Sequence, residues 1–153
     1  MTKQVNIHMK LQRRLSVGLA AATLVVAVLF FAGSVLLNES WFAALVMQTG
    51  LTLESFVAVF ATSAIGLSTG AFIISWKQRS VLVAGLLAAS GVIFMIHPLS
   101  IFMMHFMKHT QMGTGHSAAI PGGPILVVIL GLGILGLGLA EGLTSRTAVA
   151  ATR

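Results

Sequence analysis

Residues 15–37 read LSVGLAAATLVVAVLFFAGSVLL. The run carries no charge, and its strongest polar groups are Ser16, Thr23 and Ser34. As a helix it would reach about 34 Å at 1.5 Å per residue. The hydrocarbon core of a bilayer is about 30 Å thick and takes about 20 residues. A soluble helix shows a polar face to water, and this run has none to show. It reads as a membrane span.

Three more runs have the same character: 55–76, 81–107 and 124–143. The third is interrupted by His97 and Pro98 and is the longest. Only 8% of the chain is charged and 57% is hydrophobic, with mean hydropathy +1.00. Soluble domains carry about 25% charged residues, so there is too little polar surface here to face water. The expected fold is all-α, an integral membrane four-helix bundle. Residues 1–14 form a basic N-terminal segment, 15–143 the four-span bundle, and 144–153 a small polar tail expected to fray.

The cations give this bundle a direction. Lys3, Lys10, Arg13 and Arg14 precede the first span, Lys77 and Arg79 lie between the second and third, and Arg146 and Arg153 follow the fourth. If all four runs cross, these eight fall on one side and Lys108 alone on the other. Positive residues stay in the cytoplasm, which puts both termini there and turns the 38–54 and 108–123 loops outward. The net charge of +6 is then an insertion code for a cell membrane, and no nucleic-acid partner is needed. A cleaved leader is the rival reading of the first run, with Ala32-Gly33-Ser34 as its small-residue site. It would leave three spans, but the run exceeds the 7–15 residues of a usual leader core. Trp41 and Trp76 stand at span ends, where indole rings favour the water–lipid boundary.

Small residues are expected to hold the helices together, because in lipid close packing replaces the hydrophobic effect. Gly66 and Gly70 are four apart in the second span, beside Ala58, Ala61, Thr62, Ser63 and Ala64. The third has Ala84, Gly85, Ala88, Ala89 and Gly91, and in the fourth Gly131, Gly138 and Gly142 share a face. Such faces suit a tight bundle or docking onto other membrane subunits. Glu141 is the one carboxylate inside an apolar run. It is expected near the inner boundary, paired with Lys77, Arg79 or Arg146. Glu54 is expected in the first turn of the second helix, where a carboxylate favours the helix dipole.

Chemistry-bearing residues concentrate elsewhere. Residues 97–116, HPLSIFMMHFMKHTQMGTGH, hold four of the five histidines and four of the eight methionines. Pro98 lacks a backbone donor, so a kink or local unwinding is expected there. Beyond it, His105 and His109 are four apart, and Met112 and His116 continue the stripe at spacings of three and four. Gly113 and Gly115 are expected to end the helix, so His116 would have to fold back. Imidazole with thioether suits copper, Cu(I) above all, and the expected metal ligands are His105, His109, Met112 and His116. The competing reading is a run of boundary histidines with methionine as apolar filler. His97 reads as a hydrogen-bonding packing residue beside Pro98. No haem is expected, because axial histidines normally come from facing helices and the other three spans have none.

The chain has no cysteine, tyrosine or aspartate and three glutamates. This excludes thiolate chemistry and argues against an enzyme. The expected role is a small accessory subunit of a larger membrane complex, of the respiratory oxidase or copper oxygenase type. The alternative is a homo-oligomer that takes up, sequesters or delivers copper. A holin-like pore former would leave the His/Met cluster unexplained.

Overall fold

The computed structural model describes the backbone of residues 2–36, 41, 44, 46, 48–50, 52–76, 80–112 and 122–150. Side chains are described for 8–36, 41, 44, 46, 48–50, 52, 55–76, 80–96, 98–100, 103 and 125–143. The molecule is all-helical, with no strand among the described residues. Its four helices are α1 (Thr2–Leu36), α2 (Leu53–Ser75), α3 (Val81–Met112) and α4 (Gly122–Ala150). Each contains a stretch long and apolar enough to cross a membrane.

The helices exceed the apolar runs at their polar ends. α1 takes in the basic segment, and α4 continues through the tail that was expected to fray as far as Ala150. Nothing in either extension breaks a helix, since Pro is absent from both and Ala, Leu, Gln, Lys and Arg favour it. Nor does α3 unwind at Pro98, which lies buried inside a continuous helix. Proline there forfeits one i→i−4 bond, to the carbonyl of Phe94. Phe94 is itself fully buried, so packing on both sides of the missing bond holds the helix together. α2 starts at a cap: the Thr52 hydroxyl accepts the Ser55 N–H at 3.2 Å. Glu54 falls in that first turn, as expected of its position, although its side chain is outside the described set.

α1 packs against α2 and α3, and α4 against α3 and α2, while α2 and α3 touch only marginally. Around the bundle the order is therefore α1, α2, α4, α3. The consecutive helices α2 and α3 stand across a diagonal.

The buried positions show how they fit. On α1 they are Ser16, Ala20, Thr23, Ala27, Phe30 and Gly33, on α2 Ala64, Ser68, Ala71 and Ser75. On α3 they include Ala84, Leu87, Gly91, Phe94 and Pro98, and on α4 Val127, Gly131, Ile134, Gly138 and Glu141. The spacing alternates between four and three almost throughout. That is the seam of left-handed, shallow-angle packing.

Two levels of core follow from these residues. From the 76–80 end to mid-span the interior places small hydroxyls beside Val83 and Leu87: Ser16, Thr23, Ser68, Ser75 and Ser90 are essentially inaccessible. Each donates to a carbonyl three or four residues back in its own helix, as Thr23 does to Leu19 at 2.9 Å and Ser90 to Leu86 at 2.8 Å. The hydroxyls are thus satisfied locally and act as small packing groups. Toward the opposite end the core is aromatic. Phe30 stands 5.2 Å from Phe94, 6.0 Å from Phe60 and 6.2 Å from Phe56, between ring centres. Such ring pairs contribute about 0.5–1.5 kcal/mol each beyond burial.

The α3–α4 seam is the closest. A Cβ placed on Gly91 would lie 2.6 Å from the Leu135 nitrogen, and one on Gly138 would lie 2.6 Å from the Ala88 nitrogen. No side chain fits at either point, so the two backbones touch directly. The face shared by Gly131 and Gly138 does the close packing expected of it. Gly66, Gly133 and Gly136 have open space where a Cβ would stand, and Gly66, although four residues from Gly70, is not in the seam.

Candidate functional site

Glu141 is the one acidic side chain with a described environment, and it is 1% exposed. Its Oε1 accepts the backbone N–H of Ser80 at 3.0 Å. Ser80 immediately precedes α3, and its own hydroxyl accepts the Val83 N–H at 3.5 Å. The first N–H groups of a helix have no partner within it. Here one donor at the start of α3 is satisfied by a carboxylate from α4, sixty-one residues away in sequence. A carboxyl oxygen there also meets the positive end of the α3 dipole. Glu141 thus caps a neighbouring helix and ties α4 to the start of α3.

The sequence placed Glu141 at the end of its span, and the cation it expected as partner falls on residues outside the described set. The Ser80 backbone was missed. Lys77 and Arg79, and the side chain of Arg146, lie outside the described residues. The available signal was local: Ser80 stands directly before an apolar run, as an N-cap residue does. No one-dimensional pattern connects it to Glu141.

Of the expected metal ligands, the backbones of His105, His109 and Met112 stand at the opposite end. α3 is continuous through His105, His109 and Met112, so the four- and three-residue spacing expected along one helix is present in the backbone. The side chains of these three residues, and all of His116, lie outside the described set. So does the His97 side chain, with its expected hydrogen bond. Among the described residues no three His, Cys, Asp or Glu side chains gather to hold a metal ion. The apolar run 81–107 is helical throughout. Residues 108–112 carry the helix about 8 Å farther.

Against protein families, curated proteins and solved structures the chain shows no match. The class that the fold defines is a multi-pass membrane protein built as a four-helix bundle.

Proposed function

We propose that the chain is a small accessory subunit of a larger membrane complex, of the respiratory oxidase or copper oxygenase kind. In this reading it lies in a cell membrane with both termini cytoplasmic. It carries a copper site on the outer side, built from His105, His109, Met112 and His116.

The observation that most supports the reading is the continuity of α3 to Met112. Residues 101–112 stay helical beyond Pro98 and carry Met103, Met104, His105, Met107, His109 and Met112 in three turns. Imidazole and thioether donors together suit copper better than zinc or a hard cation. The bundle itself offers small hydroxyls, each already bonded within its own helix, and an aromatic cluster. Such an interior serves packing, so metal chemistry belongs to the far end of α3. What supports this orientation is that Lys10, Arg13 and Arg14 stand at the same end of the bundle as Trp76.

Mild-detergent extraction followed by elemental analysis tests partner and ligand together. The expected result is a stable multi-subunit complex with copper bound, and loss of that copper in a His105→Ala/His109→Ala variant. Copper bound to the chain alone would favour the homo-oligomeric handling role. Unchanged copper in the double variant rules out those ligands.

A further inference from the structure

The basic end of α1 is more than a loose leader. α1 is one helix from Thr2, its first buried residue among the described side chains is Ser16, and residues 8–15 are all exposed. The helix therefore stands clear of the bundle over residues 8–15, about 12 Å. No acidic residue precedes Glu39, and Lys10, Arg13 and Arg14 all lie on this exposed stretch.

The packing sets their depth. Gly70 of α2 faces Leu19 of α1, and Phe56 faces Gly33. Both pairs belong to one antiparallel register, in which Arg13, six residues before Leu19, is level with Trp76, six beyond Gly70. Trp76 is exposed at the end of α2, edge-on to Phe72 with ring centres 4.8 Å apart. An exposed indole at a span end marks the headgroup level. Arg13 and Arg14 therefore stand at the phosphates, and Lys10 lies about 6 Å above them, within a Debye length of about 10 Å at 0.1 M salt. Lys10 and Arg14 are four apart and share a face. That face is turned away from the side that Ser16, Ala20 and Thr23 bury, so it points outward at surrounding lipid.

We propose that Lys10, Arg13 and Arg14 form a binding surface for the anionic headgroups of the adjoining leaflet, which concentrates acidic phospholipid around the bundle. Insertion needs only the sign of these charges. A rigid helix that holds all three at phosphate depth, with Lys10 and Arg14 on the outer face and Arg13 on the side that Ser16 and Ala20 continue, adds a position, and position is what lipid selection requires. The surface acts in whichever leaflet adjoins the N-terminus, independently of the copper reading.

The test uses the full chain reconstituted in phosphatidylcholine containing phosphatidylglycerol. Spin-labelled lipids report the relative association of the two headgroups with the protein. The expected result is several-fold preference for phosphatidylglycerol, falling toward equality in 1 M NaCl. Each Gln substitution at Lys10, Arg13 or Arg14 is expected to lower the preference, by up to about fivefold where the full surface field acts, while Arg14→Lys keeps it. The wild-type salt series stands even if a charge-neutralised variant inserts wrongly. Equal association of both lipids with the wild type would overturn the proposal, and would leave these charges to topology alone. So would a preference that survives the triple Gln variant, or one that millimolar inorganic phosphate abolishes, since a free anion would then be the ligand.

Discussion

The α3–α4 seam makes the most exposed prediction. Gly91→Ala puts a methyl 2.6 Å from the Leu135 nitrogen and 2.7 Å from the Gly131 oxygen, against 3.4–4 Å for ordinary contact. Gly138→Ala meets the Ala88 nitrogen at 2.6 Å and the Ala84 oxygen at 2.8 Å. These are backbone atoms in regular helix and cannot rotate away. The seam must open by about 1 Å, and a radial gap of that size forfeits up to about half of each dispersion contact along it. Overpacking of this kind costs about 1–3 kcal/mol. Gly133→Ala and Gly136→Ala lie on the same helix with nothing within 4 Å. They are expected to be neutral or to stabilise, since Ala exceeds Gly in a helix interior by about 0.5–1 kcal/mol. The double variant Gly91→Ala/Gly138→Ala carries a further signature. One outward shift of α4 relieves both clashes, so its cost should fall below the sum of the singles. Unfolding in mixed micelles by added SDS, followed by helical circular dichroism, measures all five proteins. If Gly91→Ala and Gly138→Ala fall within about 0.5 kcal/mol of the open-site controls, a margin inside the spread of neutral surface changes, the direct backbone seam is wrong.

Substitutions at two other sites test the rest of the bundle. Glu141→Leu should bury the Ser80 N–H without its acceptor, at about 1–3 kcal/mol, and speed amide exchange at Ser80 and its neighbours. Glu141→Gln keeps an oxygen there and should retain most of the protection, so equal exchange in the two variants would remove the capping role. Phe30→Ala deletes the ring that meets Phe56, Phe60 and Phe94 together. On the order of 3 kcal/mol should be lost, and an exposed control such as Val25→Ala, measured in the same micelles, should lose far less.

How much of this was legible in the sequence depends on the distance over which each feature is written. The spans were legible because twenty apolar residues without a charge have one stable environment. The face shared by Gly131 and Gly138 was legible because a helix repeats at fixed spacing. Which glycine meets a partner was not, because Gly66 and Gly91 look alike in sequence and differ only in what stands opposite. Glu141 shows the same limit: its depth could be counted along α4, but its acceptor role depends on where α3 begins. The extra length of α1 and α4 was missed because hydropathy marks where a helix is immersed and says little about where it stops. The copper ligands rest on spacing and donor chemistry, with only the helical register of His105, His109 and Met112 added by the backbone.

The two-level core explains why so apolar a chain uses serine and threonine inside. Close approach of helices in lipid requires small side chains, and a hydroxyl bonded to its own helix behaves as one. Ser16, Thr23, Ser68 and Ser75 therefore line the half in which α4 is tied to α3 through Glu141. Phe30, Phe56, Phe60 and Phe94 fill the other half, where ring contacts take over from hydroxyls. The close seam of α3 and α4 runs through both halves, since a Cβ on Gly138 would strike Ala88 in the first and one on Gly131 would strike Met95, next to Phe94, in the second.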